Sequence, residues 1–126
     1  MKAHFILYVA DQNKSAEFYS SVLRIDPTLA VPGMTEFRLS GNTILGLMPE
    51  DSAVRLLGDI IGPTSGKPFN SRAELYLVVE DAAAYHERAL AAGGLELSGL
   101  ALRDWGHVAA YSLDPDGHVL AFAEEK

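Results

Sequence analysis

Arg103-Asp104-Trp105-Gly106-His107 is the stretch of this chain richest in groups able to handle a ligand. An indole supplies a large flat stacking surface, a guanidinium pairs with a carboxylate or phosphate, and Gly106 lets a ligand approach the backbone. His107 adjoins them at the start of a β-rich run. Trp105 has a second reading, as a plug over the end of a core. Glu74 opens another apolar run, where its carboxylate can bind a ligand amine or take a proton from carbon beside a carbonyl. It reads equally as an exposed charge at a strand start. Phe37 and Arg38 are neighbours on a strand, so their side chains point to opposite faces and one of the two turns toward a ligand. His4 reads on its own as a surface or pocket-lining residue, and His118, after the Asp-Pro-Asp-Gly turn, as solvent-facing.

Other chemistries find no support. The chain has no cysteine, which removes disulfides, thiolate nucleophiles and Cys-type zinc sites together. There is no GxGxxG, Walker, HExxH or GxSxG pattern, and no serine has a histidine partner that spacing alone identifies. The net charge of −7 argues against a phosphate-backbone partner, because nucleic-acid binding rests on clustered Lys and Arg. It favours a cationic or amphipathic ligand, or simply keeps the protein in solution. The first residues carry a short apolar run without a small-residue cleavage site, and no segment has the length of a membrane span. A cytoplasmic protein with no membrane partner is the expectation.

Periodicity supplies the elements that position these groups. His4 to Val9 reads as a strand, and Ala16, Phe18, Tyr19, Val22 and Leu23 recur at helical spacing over Ser15 to Leu23. Ile25 to Ala30 reads as a short strand broken by Pro27, and Phe37 to Leu39 with Thr43 to Met48 as a hairpin. Pro49 to Arg72 reads as a short helix followed by an exposed Gly/Pro/Ser-rich spacer. A strand over Glu74 to Val79, a helix over Asp81 to Ala92 stopped by Gly93-Gly94, and strands at Leu95–Leu102, His107–Leu113 and His118 to Ala123 complete the list. The two halves repeat one order about seventy positions apart, with Val9/Asp11 matching Val79/Asp81 and His4 opposite Glu74. The prediction is an α+β single domain over 1–126, built from two βαβββ modules, 1–48 and 74–126, joined by a linker at 49–73.

Asp11 followed by Phe18, Tyr19 and Leu23, together with Asp-Pro-Asp-Gly-His at 114–118 leading into a last strand, resembles the vicinal oxygen chelate superfamily of glyoxalases, bleomycin resistance proteins and extradiol dioxygenases. The resemblance spans essentially the whole chain. It implies that each module curls into a half-barrel, that the modules enclose a cavity for a small organic molecule, and that two chains pair as a homodimer. It also implies a divalent metal (Ni, Zn, Mn or Fe) in the enzymes of the family, held by His, Glu or Gln from matching strands and acting as a Lewis acid. The matching positions here are His4, Leu45, Glu74 and Ala121, and a one-residue slip offers only Gly46 and Phe122. Two donors fall short of what tight metal binding requires. Glyoxalase I activity is therefore not expected, nor is a cofactor. The expected function is binding of a small molecule through Trp105, Arg103, His107, Phe37 or Arg38, and Glu74. The alternative is a divergent metal-dependent lyase, isomerase or dioxygenase using His4, Glu74 and a third ligand such as Glu36 or His107.

Overall fold

The computed structural model describes residues 1–58 and 73–126. The element order is β1 (Ala3–Val9), α1 (Gln12–Leu23), β2 (Leu29–Val31), β3 (Met34–Ser40), β4 (Thr43–Pro49), α2 (Glu50–Leu57), β5 (Glu74–Val78), α3 (Ala82–Ala91), β6 (Leu95–Leu102), β7 (His107–Leu113) and β8 (Val119–Glu125). Among the described residues one compact unit comprises 1–20 and 24–58, and the other 21–23 and 73–126. Each carries a four-stranded mixed sheet, in the orders β1-β4-β3-β2 and β5-β8-β7-β6. Both are therefore the βαβββ arrangement read from the sequence. In each, the first and last strands pair in parallel, β1 with β4 and β5 with β8, while the remaining neighbours are antiparallel.

The repeated aspartates have a local cause. Asp11 Oδ1 accepts from Lys14 N at 3.0 Å and Asp81 Oδ1 from Ala84 N at 3.1 Å, so each caps the helix that follows its strand. Such a cap satisfies one of the amides left open at a helix start and contributes about 1 kcal/mol. The Asp-Pro-Asp-Gly turn between β7 and β8 closes in the same manner. Asp114 Oδ1 accepts from the amides of Asp116 and His118, and Gly117 takes φ +88°.

One assignment differs from expectation. The strand expected over Ile25 to Ala30 forms at Leu29–Val31 and pairs with β3. Pro27 lacks the N–H a ladder needs, so pairing starts beyond it. The stretch after β4 begins with the expected helix, α2, which packs on β4 and β1 within the first unit. Glu50 and Asp51 occupy its first turn, where the helix dipole favours negative charge. The spacer expected after it falls at residues 59–72, outside the described residues.

Cross-strand register sorts every side chain onto one of two faces. In the first sheet, Gln12 of α1 donates to Thr35 Oγ1 at 2.9 Å, so Thr35 marks the helix side. Phe37, Leu45 and Leu47 share that side and are fully buried. In the second sheet, Tyr85 of α3 stacks on Phe122 with ring centroids 5.3 Å apart, which places Phe122, Ala110, Leu120 and Ser112 toward the helix. The alternate residues of each sheet form a helix-free face.

Candidate functional site

The helix-free face of the second sheet gathers most of the polar groups singled out in the sequence. Register places Glu74 and Tyr76 of β5, Ala121 of β8 and His107 and Tyr111 of β7 on it, Tyr76 and Tyr111 both lying beside Ala121. Trp105 reaches the same place from the β6–β7 turn. There Gly106 N donates to Arg103 O at 3.0 Å, Arg103 N donates to His107 O at 2.8 Å, and Gly106 adopts φ +93°. Gly106 is thus required by the turn, which needs a left-handed residue at that point. The turn leaves Trp105 57% exposed, yet its Nε1–H donates to Tyr76 Oη at 2.9 Å. Tyr76 Oη also lies 2.8 Å from His107 Nδ1, with the two rings tilted by 30° at a centroid separation of 5.9 Å. Three side chains from two strands and a turn meet at one phenolic oxygen.

Arg103 is largely committed to the scaffold. Its Nε and Nη2 donate to Ala109 O, and Nη2 also donates to Ser98 Oγ and Gly99 O, at 2.8 to 3.1 Å. These bonds brace the register breaks of β6 against β7. The guanidinium also sits 5.2 Å over the Tyr111 ring. Burial pushes the Tyr111 hydroxyl above its ordinary value; the Glu74 carboxylate adds to the rise, Tyr76 contributes, and Arg103 opposes it. Tyr111 therefore stays a neutral hydrogen-bond donor at neutral pH.

The other candidates separate by face. Phe37 is fully buried on the helix side of the first sheet, a core position. Arg38 is on the helix-free face and exposed, its Nη1 donating to Gly41 O at 2.9 Å. His4 shares that face, with Nδ1 3.6 Å from Glu36 Oε2. Leu45 pairs with Phe5 and Phe37 on the helix side, and Gly46 holds the neighbouring helix-free place. A Cβ on Gly46 would come 2.5 Å from Ile6 Cδ1 and 3.1 Å from Met34 Sδ, so a larger residue there displaces the ends of these two side chains. Ala121, on the helix-free face of the second sheet, has no donor atom. Among the described residues no three His, Asp or Glu side chains stand together as a metal-holding group. His4 and Glu36 are the pair of such donors that the first sheet brings together.

Tyr76 and Tyr111 were missed in the sequence. Each lies inside an apolar run that reads as core, but each also shares strand parity with a flagged residue, Tyr76 with Glu74 and Tyr111 with His107. That parity was the available signal. The pair His86–Glu96, Nε2 to Oε2 at 2.8 Å, also went unflagged; it ties α3 to β6 on the helix side.

Solved structures share the fold. A glyoxalase-related enzyme from Fulvimarina pelagi is 23% identical over 99% of this chain and 88% of its own, with a TM-score of 0.83. A glyoxalase/bleomycin resistance protein/dioxygenase family enzyme from Burkholderia phytofirmans PsJN is 18% identical, covers 98% and 97%, and has a TM-score of 0.80. A glyoxalase/bleomycin resistance protein from Albidiferax ferrireducens T118 is 22% identical with 98% coverage of both chains and a TM-score of 0.74. No curated protein matches the sequence. The family model matches residues 3–122, nearly the full length of both repeats, and the chain belongs to the Glyoxalase/Bleomycin resistance protein/Dioxygenase superfamily.

Proposed function

We propose that this protein binds a small organic molecule on the helix-free face of its second sheet, with Trp105 as the flat contact and without a metal taking part. The observation that carries this reading is the orientation of Trp105. An indole more than half exposed on a turn is held by a hydrogen bond to a half-buried tyrosine. Fixing the ring in advance lowers the ordering cost of binding, as a preorganised contact surface does. Glu74, exposed on the same face, and the net charge of −7 favour ligands carrying an amine. Leu45 and Ala121, at the positions that match the family's metal ligands, and Gly46 beside Leu45 carry no donor atom, which supports the metal-free part of the reading.

Trp105 is the only tryptophan in the chain, so its fluorescence reports this face alone. Amphipathic amines are expected to quench it with saturation, equally with and without chelator. Trp105→Tyr keeps an aromatic ring and Trp105→Ala removes it; followed by calorimetry, the alanine variant is expected to bind ~10- to 100-fold more weakly. Binding that vanishes in chelator and returns with Ni, Zn, Mn or Fe(II) would sink the metal-free reading in favour of a metal-dependent lyase, isomerase or dioxygenase. The His4–Glu36 pair is where such a metal would first be sought.

The protein works as a homodimer in this reading, with β6 as the interface. β6 is an edge strand, and Leu95, Leu97, Leu100 and Leu102 along it are 43% to 70% exposed. An open edge with this much apolar surface is covered in stable proteins, and a like strand about a two-fold axis covers both copies at once. Light scattering is expected to give a dimer mass, with Leu97→Asp shifting it to the monomer. A wild-type monomer at high protein concentration would remove this part of the proposal.

A further inference from the structure

The geometry points to Tyr76 and His107 as a proton-transfer pair that takes the proton of an acidic hydroxyl on the bound molecule. This rests on the binding reading above and names what the face does to its ligand.

The argument is a count of hydrogen-bonding capacity at one oxygen. A phenolic Oη has one O–H to donate and two lone pairs. Trp105 Nε1–H can only donate, so it fills one lone pair. At 2.8 Å from His107 Nδ1, the remaining interaction is either Tyr76 O–H donating to a bare Nδ1 or Nδ1–H donating to Oη. With His107 neutral and its proton on Nε2, the first holds, and Oη keeps a lone pair for a donor on the ligand. With His107 protonated, Nδ1–H fills that lone pair and the Tyr76 O–H is released toward the ligand. Protonation of His107 therefore converts Tyr76 from acceptor to donor at the same point in space.

A balanced transfer joins the two states. A hydroxyl on the ligand gives its proton to Tyr76 Oη as the Tyr76 proton passes to His107 Nδ1. The bond between ligand oxygen and hydrogen and the Tyr76 O–H break, and a new Tyr76 O–H and the Nδ1–H form. The products are a ligand oxyanion receiving the Tyr76 hydrogen bond and an imidazolium, with no net change in charge. Trp105 Nε1–H supports the oxygen throughout, because it stabilises the negative charge that develops on Oη during the exchange.

Charged groups share the face with the pair. Glu125, the register partner of His107 on β8, lies on the same face, with Glu74 beside Tyr111 and Asp104 in the turn. Arg103, held over Tyr111, is the cation on this face. The class of ligand that uses this arrangement is an organic molecule with an ionisable hydroxyl attached to a flat conjugated group that lies on Trp105.

4-Nitrophenol tests it on the intact protein, because quenching of Trp105 reports binding and visible absorbance reports ionisation of the probe. The ionised fraction of the bound probe at fixed mildly acid pH is expected to exceed that of free probe by about tenfold, equivalent to one pKa unit. Tyr76→Phe and His107→Leu are expected to abolish that excess while quenching persists. As a check that needs no ligand, nitrogen NMR of the free protein is expected to show His107 Nδ1 as the bare acceptor at high pH and a changed shift in Tyr76→Phe. Quenching without excess ionisation, or an excess that survives both variants, overturns the pair and leaves the binding reading standing. No quenching by 4-nitrophenol or by any amphipathic amine overturns both.

Discussion

Phe37→Ala is expected to destabilise the protein by about 3 to 5 kcal/mol, whereas Arg38→Ala next to it is expected to stay within about 0.5 kcal/mol of the parent. The two residues were indistinguishable as ligand contacts in the sequence, and the sheet separates them completely. Phe37 has no exposed surface and shares the helix side with Leu45 and Leu47, also fully buried. Removing its ring forfeits the transfer energy of the side chain and leaves a cavity that a sheet locked by cross-strand bonds cannot collapse. Arg38 is exposed and loses one hydrogen bond to Gly41 O on the solvent side. Urea unfolding checks both. Similar midpoints for the two variants would mean that the strand parity is inverted.

The same pair shows what a sequence can and cannot settle. Alternation fixes that Phe37 and Arg38 point apart, but the phase depends on which side α1 lies, a tertiary fact. Features with local causes were legible. Asp11 and Asp81 cap the helices that follow them, Gly117 and Pro115 shape a turn, and the β6 and β7 limits, Leu95–Leu102 and His107–Leu113, agree with the strands read from the pattern. Bonding set by an irregular register was not legible. Nothing near Arg103 in sequence announces that its guanidinium is held by Ser98, Gly99 and Ala109 across two register breaks in β6. Trp105, His107 and Glu74 stand out in the sequence because their side-chain chemistry is conspicuous at strand ends. Tyr76, where the Trp105 and His107 hydrogen bonds meet, sits within an apolar run and looks like core until the partner strand is placed.

Gly94→Ala is expected to cost about 3 kcal/mol or more, and Gly93→Ala, one residue earlier, only about 1 to 2 kcal/mol. The two glycines stop α3 by one device with unequal tolerances. Gly93 N donates to Leu90 O and Gly94 N to Ala89 O, the paired bonds that satisfy carbonyls left open at a helix end, with Gly93 in the left-handed region at φ +106°. A methyl group on Gly93 meets nothing within 4 Å, so only its conformation is penalised. A methyl group on Gly94 would come 2.8 Å from Ala89 O and 2.9 Å from Leu113 O. Both neighbours are backbone, one at the end of α3 and the other at the end of β7, and neither can rotate away. Relief requires α3 and β7 to separate, and β7 carries His107 and Tyr111 on its other face. Thermal unfolding is expected to show Gly94→Ala with a Tm lower by ~10 °C or more, about twice the loss in Gly93→Ala. Trp105 fluorescence is expected to change in Gly94→Ala and to stay at the parental value in Gly93→Ala, because only the first forces movement of the strand that leads out of its turn. Equal losses in the two variants would show that the close approach of α3 to β7 is not a constraint on this face.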